Sequence, residues 1–295
     1  MWYDQCGTGS VTGKPINCLY NGKAKKIHNK ESQDILDNLC PELSNGSICC
    51  SLSQLHSLQS GIQSAQQMMA RCPSCWKNFR QLYCQMTCSP NNSLFIDPIE
   101  LKIEPGTNKA GIEIIDYYVD PLFRNGLYNS CKDVLFPSSN KKIMNFLCGV
   151  TADKCDPMKF LRFMGDPSRN GQSPFTIKYP VNTTSHSGIK AMNQHISLCN
   201  ETVYDPSTNK TSDACSCQDC RLPPCAQFPT YNPPTIWPLH RTAQIIFSIK
   251  PNSEFYNKKS CYSSVYATTC QLTGPIIRKQ FLLKVGNPPL FFFID

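Results

Sequence analysis

Cysteine constrains this chain more than any other residue. Nineteen of its 295 residues are cysteine. Several fall in tight groups: CC at 49–50, CPSC at 72–75 and CSCQDC at 215–220. Such density belongs to chains that cross-link in an oxidising compartment. Five Asn-X-Ser/Thr sequons, at Asn45, Asn91, Asn182, Asn200 and Asn209, fit glycosylation on the same route. The expected address is therefore extracellular or in the lumen of the secretory pathway.

Two of the groups have rival readings. CPSC has the spacing of a redox pair, and CSCQDC that of a zinc knuckle. Zinc takes thiolates, often with histidine. His28, His56, His186, His195 and His240 stand at no ligand spacing beside these cysteines. A redox pair would compete with many neighbouring thiols for the same chemistry. Structural disulfides are the expectation, with no metal and no cofactor.

Other patterns narrow the function. The net charge is +8, but its lysines and arginines are scattered. Lys23, Lys25 and Lys26 form the tightest basic cluster, with Lys141 and Lys142 a weaker one. With no recognition motif, a solvated face is expected and a nucleic-acid partner is not. GTGSVTGKP (7–15) nearly resembles a phosphate-binding loop, but Pro15 stands where Ser or Thr belongs, and no strand is expected before it. No HExxH or GxSxG motif occurs, and Asp116, Asp153 and Asp156 read as ordinary surface acids, so the chain is expected not to be an enzyme. No charged-then-apolar leader precedes Trp2, and no run of roughly 18 apolar residues occurs. The opening MWYDQC reads as the interior of something longer, so a truncated or spliced chain is expected.

Hydrophobic spacing predicts the elements. Leu52, Leu55, Leu58, Ile62, Ala65 and Met69 recur at helical steps, and a second helix follows Pro73 through Trp76, Phe79, Leu82, Tyr83 and Met86. SerProAsnAsn (89–92) ends it. Extended segments are expected at Leu94–Ile103, Ile112–Val119 and Phe175–Val181. Helices are expected near Pro121–Cys131, Lys141–Leu147 and Pro157–Met164. The order implies an α+β fold: a disulfide-rich helical domain with a small mixed sheet. That domain is expected over 1–226, a proline-rich linker over 227–240, and a fragment over 241–295 that is too small for a core of its own. RTAQIIFSI reads as a strand within that fragment.

Gln54 has two readings. Ser51-Leu-Ser-Gln54 has the spacing of a capping box. Alternatively, the glutamine faces inward as a polar group among leucines and needs a partner.

Ordered motifs then identify a family. WYDQCG, KPINCLYNG, LCPELSNGSICC, SQLHSLQS, RCPSCWKNFRQLYCQMTCSP, YNSCKDV, PSSN, LCG, NGQSPFTI and CSCQDC together resemble the N-terminal luminal domain of the Niemann–Pick type C1 sterol transporter family, from Trp2 to about Cys225. HRTAQIIFSI and GPIIRKQFLLKV resemble the opening of that family's middle luminal domain. In the family a membrane helix lies between these regions, so contact with a membrane is expected only through helices of a full-length parent.

The resemblance implies a sterol-binding pocket. Its 3β-hydroxyl site would fall on Asn17 and Gln54, with Gln5 at the position of a glutamate that acts through water. Trp2, Leu58, Tyr83, Tyr117, Pro174, Phe175 and Ile177 match wall positions. Phe146 and Leu147 match a rim pair where a soluble Niemann–Pick type C2-like carrier hands over sterol. The implied disulfides are Cys6–Cys18, Cys40–Cys84, Cys50–Cys88, Cys72–Cys215, Cys75–Cys131, Cys148–Cys155, Cys199–Cys220 and Cys217–Cys225. Cys49, Cys261 and Cys270 are left over, because the family partner of Cys49 would precede Trp2. The expected function is sterol binding and intracellular sterol transport in the late endosome or lysosome. The alternative is a truncated or secreted copy that sequesters lipid or binds a protein partner.

Overall fold

The computed structural model describes residues 2–105, 107–181, 188–206, 208–223, 225, 279–283 and 290–294. The chain divides into two compact units, 1–229 and 230–295. The expected linker over 227–240, the RTAQIIFSI strand, Cys261 and Cys270 lie outside the described residues.

The first unit opens with a hairpin of β1 (Trp2–Thr8) and β2 (Pro15–Leu19). A strand therefore does precede the GTGSVTGKP loop, against expectation. The loop leads into a second strand rather than a helix, closed by Gly9 N–H donating to the Lys14 carbonyl at 2.9 Å. After the short strand β3 (Lys25–Lys26) comes α1 (Lys30–Leu39), capped by Asn29, whose side chain accepts from the Glu31 amide. The strand β4 (Ser47–Ile48) pairs with β3.

Two long helices follow, α2 (Leu52–Met69) and α3 (Pro73–Cys88). Beyond them, β5 (Ile96–Ile103) and β6 (Ala110–Tyr117) form an antiparallel pair. β5 starts two residues later than expected, because Asn92–Leu94 makes a tight 3-10 turn. The helices α4 (Pro121–Cys131), α5 (Met144–Leu147), α6 (Pro157–Gly165) and α7 (Pro167–Asn170) lead to β7 (Thr176–Lys178). α5 is shorter than the expected 141–147, because Lys142 bridges to Leu135 in extended pairing.

The sheet runs β1-β2-β6-β5, with β7 also pairing β6. The β6–β7 pair is parallel and the others are antiparallel, so the sheet is mixed. Small strands β8 (Val203–Asp205) and β9 (Lys210–Ser212) make a separate ribbon.

Eight disulfides lock this unit, and they are the eight pairs the resemblance implies. The two cysteines of CPSC go to different partners, Cys215 and Cys131, and the three of CSCQDC to three separate bridges. Neither group is a redox pair or a knuckle. Cys49 is buried, and burial pushes its thiol pKa up. Polar knots reinforce the bridges. The Asn78 amide, fully buried, donates to Ser130 Oγ and the Ser197 carbonyl and accepts from the Ser197 amide. The buried Asp219 carboxylate accepts from Arg71, Ser216 and the Leu135 amide.

In the second unit, β10 (Lys279–Leu283) and β11 (Leu290–Ile294) pair antiparallel, with Lys279 opposite Ile294 and Leu283 opposite Leu290.

Candidate functional site

A cavity of about 360 Å³ opens between α2, α3, the β1–β2 hairpin and the segment that runs from α5 to β7. That size suits a small-molecule site. From α2 it takes Gln54, Leu58, Ile62 and Ala65, with Ser57, Gly61, Ser64 and Met68 on the adjoining stripe. These are steps of three and four residues, so one side of the helix faces the cavity along its length. Gln54 to Met68 spans about 21 Å at the helical rise. From α3 come Phe79, Tyr83, Met86 and Thr87. The far wall is Pro174, Phe175 and Ile177.

One end is polar, and the backbone explains why. In the hairpin, Gln5 stands directly opposite Asn17, which puts both side chains on one face. The Cys6–Cys18 bridge joins the residues that follow these two on their strands. The strand is irregular on both sides of Gln5, and Asp4 takes a left-handed backbone with φ 69°. Such a backbone is uncommon outside glycine, and here it turns the Asp4 amide toward α2. That amide donates to Gln54 Oε1 at 2.7 Å.

Gln54 therefore fills both roles left open by its spacing. It completes the capping box: its Oε1 accepts from the Ser51 amide at 2.9 Å while Ser51 Oγ receives the Gln54 amide. It is also buried, 2% exposed, and lines the cavity. Two amide donors on Oε1 fix the orientation of the side-chain amide. Its Nε2, also buried, has no partner among the described residues. Asn17 is 7% exposed and lines the cavity, and no hydrogen bond from its amide side chain occurs among the described residues. Gln5 donates through Nε2 to Ser57 Oγ at 2.9 Å.

Ten of the twelve expected pocket and rim residues line this cavity: Gln5, Asn17, Gln54, Leu58, Tyr83, Phe146, Leu147, Pro174, Phe175 and Ile177. Trp2 and Tyr117 do not. Both rings are buried one layer behind, held by bonds to backbone. The Trp2 indole donates to the Thr87 carbonyl at 3.1 Å, and its ring packs 5.7 Å from that of Phe175. The Tyr117 hydroxyl donates to the Leu82 carbonyl at 3.0 Å. At the rim, Phe146 is 45% exposed and packs at a tilt against Phe136, while Leu147 is buried. Burial raises the phenol pKa values of Tyr83, Tyr117 and Tyr179, so this side stays uncharged.

The sequence reasoning missed several lining residues. Ile62, Ala65 and Met68 continue the helical stripe of Leu58, and Phe79 and Met86 flank Tyr83 at helical steps, so periodicity held the signal. Phe163, Met164 and Arg169 carried none. Of the sequon asparagines, Asn45, Asn91 and Asn209 are exposed, whereas Asn200 is half-buried and donates to the Pro223 carbonyl. Asn182 lies outside the described residues.

Fold and cavity define a disulfide-locked α+β domain built around a mostly apolar chamber with a buried polar end. Residues 1–244 match the family described as Niemann-Pick C1 N terminus, and the chain belongs to that family. It is 36% identical over 228 residues to NPC intracellular cholesterol transporter 1 of Sus scrofa, covering 75% of this chain and 17% of that protein. It is 31% identical over 247 residues to NPC1-like intracellular cholesterol transporter 1 of Rattus norvegicus, covering 79% of this chain and 18% of the relative. A Caenorhabditis elegans homologue, NPC intracellular cholesterol transporter 1 homolog 1, is 30% identical over 198 residues, 61% of this chain and 14% of its own. The chain thus spans under a fifth of these relatives' lengths. Among the described residues, no helix is long and apolar enough to cross a membrane.

Proposed function

We propose that the cavity binds a sterol, with the 3β-hydroxyl at the Asn17–Gln54 end, as part of sterol transport in an endosomal or lysosomal lumen. One observation carries the reading. An apolar chamber about 21 Å long on its α2 side ends in a buried donor, Gln54 Nε2, that has no partner among the described residues. Leaving such a group unpaired costs about 1–3 kcal/mol. A ligand oxygen would satisfy it.

The bonding polarity follows from the capping box. Gln54 Oε1 is occupied by two amides, so Gln54 can only donate to the ligand. The sterol hydroxyl would accept from Gln54 Nε2 and donate to Asn17 Oδ1. Gln5 stands next to this pair, tied to Ser57. The walls would supply affinity: burying about 400 Å² of sterol gives roughly 10 kcal/mol before the costs of binding are subtracted. The polar pair would supply orientation. Phe146 and Leu147 would form the rim across which a soluble Niemann–Pick type C2-like carrier delivers sterol.

Equilibrium binding of labelled cholesterol to the purified chain tests this. Gln54→Ala should weaken binding about tenfold or more while the protein stays folded, which circular dichroism verifies. Unchanged binding by Gln54→Ala would remove the hydroxyl assignment. Phe146→Ala with Leu147→Ala should slow transfer from the carrier more than it weakens equilibrium binding, and equal losses would remove the handover.

A further inference from the structure

The sterol reading leaves one lining residue without a role. Among the described residues, Arg169 is the one charged side chain that lines the cavity; no Asp, Glu, Lys or His does. It is exposed, at the end of α7, so it sits where the chamber meets solvent. Its guanidinium is held by two neighbours. It donates to the Gly149 carbonyl at 3.3 Å, and it lies over the Phe163 ring at 5.4 Å. Gly149 follows the rim residues Phe146 and Leu147, so Arg169 belongs to the same rim.

Neither anchor neutralises the charge. No carboxylate lies within ion-pair distance of Arg169 among the described residues. The nearest acid in sequence, Asp166, is turned to the start of α7, where its carboxylate accepts from the Ser168 amide and hydroxyl. Lys14 is close by in the chain's path, donating to the Gly171 and Gln172 carbonyls. A positioned guanidinium fork with free donors matches a carboxylate geometrically.

We propose that the cavity takes sterols whose side chain ends in a carboxylate, with Arg169 as the partner of that anion. This rests on the sterol reading above. A ligand whose hydroxyl is held at buried Asn17 and Gln54 directs its opposite end toward the open rim, and a terminal carboxylate there would meet Arg169. A neutral tail there would leave the guanidinium without an ionic partner. The fork is partly solvated, so the gain is modest and salt-sensitive.

The test uses the full chain and three probes: cholesterol, a 3β-hydroxy sterol with a terminal side-chain carboxylic acid, and the methyl ester of that acid. On the wild type the acid should bind about fivefold tighter than its ester at low salt, and the ratio should shrink as salt rises. Arg169→Gln should bring the ratio to one or below, and Arg169→Lys should keep part of it. An acid that binds no tighter than its ester on the wild type overturns the proposal, as does a ratio unchanged by Arg169→Gln. Cholesterol separates the two levels. If cholesterol binds but the acid gains nothing, only the Arg169 assignment falls. If none of the three binds, the sterol reading falls and takes this one with it.

Discussion

Helices α2 and α3 wall the same cavity but are held by opposite means. α3 carries Cys75, Cys84 and Cys88 along its length and Cys72 at its N-cap, so four bridges tie it to Cys131, Cys40, Cys50 and Cys215. It buries thirteen of its sixteen residues, and its N-cap makes no side-chain hydrogen bond. α2 contains no cysteine and buries six of eighteen. Its first turn is held by the hydrogen bonds among Ser51, Gln54 and Asp4, one residue after the Cys50–Cys88 bridge. The covalent links secure the more deeply buried of the two helices. The helix that offers a whole face to the cavity is attached through Gln54, the group proposed to meet the ligand. Stability and binding should therefore separate by position: changes at the α3 bridges and its buried far side act on folding, and changes on the cavity face of α2 act chiefly on the ligand.

The largest break in that contrast is the Cys75–Cys131 bridge. Replacing both cysteines with alanine should cost about 2–5 kcal/mol, read from urea unfolding. Next comes a matched pair of leucines. Leu82 in α3 is fully buried and away from the cavity, so Leu82→Ala should cost about 3 kcal/mol or more. Leu58 in α2 already borders open space, so Leu58→Ala should cost about 2 kcal/mol but weaken cholesterol binding more than Leu82→Ala does. Equal binding losses would erase the distinction.

Smaller in stability is Gln54→Ala. It removes the reciprocal half of the capping box and should cost about 1 kcal/mol, with its main effect on sterol affinity. Smallest, and of opposite sign, is Gly61→Ala. Gly61 sits mid-helix on the cavity face, where an added Cβ meets nothing within 4 Å. Alanine there should stabilise the empty protein by about 0.5–1 kcal/mol and raise its melting temperature, while the added methyl narrows the chamber and weakens sterol binding. A rise in both stability and affinity would show that the open space beside Gly61 is not ligand space.

The parts of the fold that were legible in the sequence are those whose signals are local. Pro73 starts α3, and Pro121 and Cys131 bound α4 as expected, because proline at the first turn and helical spacing act over a few residues. The β1–β2 hairpin was not legible. WYDQCGT has no clean alternation and only Thr8 as a β-branched residue, and its left-handed Asp4 makes sense only against the N-terminus of α2, some fifty residues away. α1 was missed because Ile35, Leu36 and Leu39 are few among polar neighbours, although Asn29 stood at its cap.

The site divides the same way. Spacing suggested that Gln54 caps its helix, and the resemblance pointed it at a ligand. Neither could say that Asp4 and Ser51 together occupy its carbonyl oxygen and leave one donor over. Trp2 and Tyr117 were expected in the wall because the resemblance matched them to wall positions. Their polar atoms instead satisfy the Thr87 and Leu82 carbonyls, which turns both rings into the layer behind.

The account's central claim is that a hydroxyl at the Asn17–Gln54 end selects the ligand. Displacement of labelled cholesterol from the purified full chain, by unlabelled cholesterol and by its 3-deoxy hydrocarbon analogue, tests it most directly. The two molecules share the apolar body and differ in the single oxygen. The account predicts that cholesterol displaces the label at about tenfold lower concentration than the analogue, as an unpaired buried donor demands. Equal displacement by the two would contradict it, and would mean that the chamber recognises shape alone.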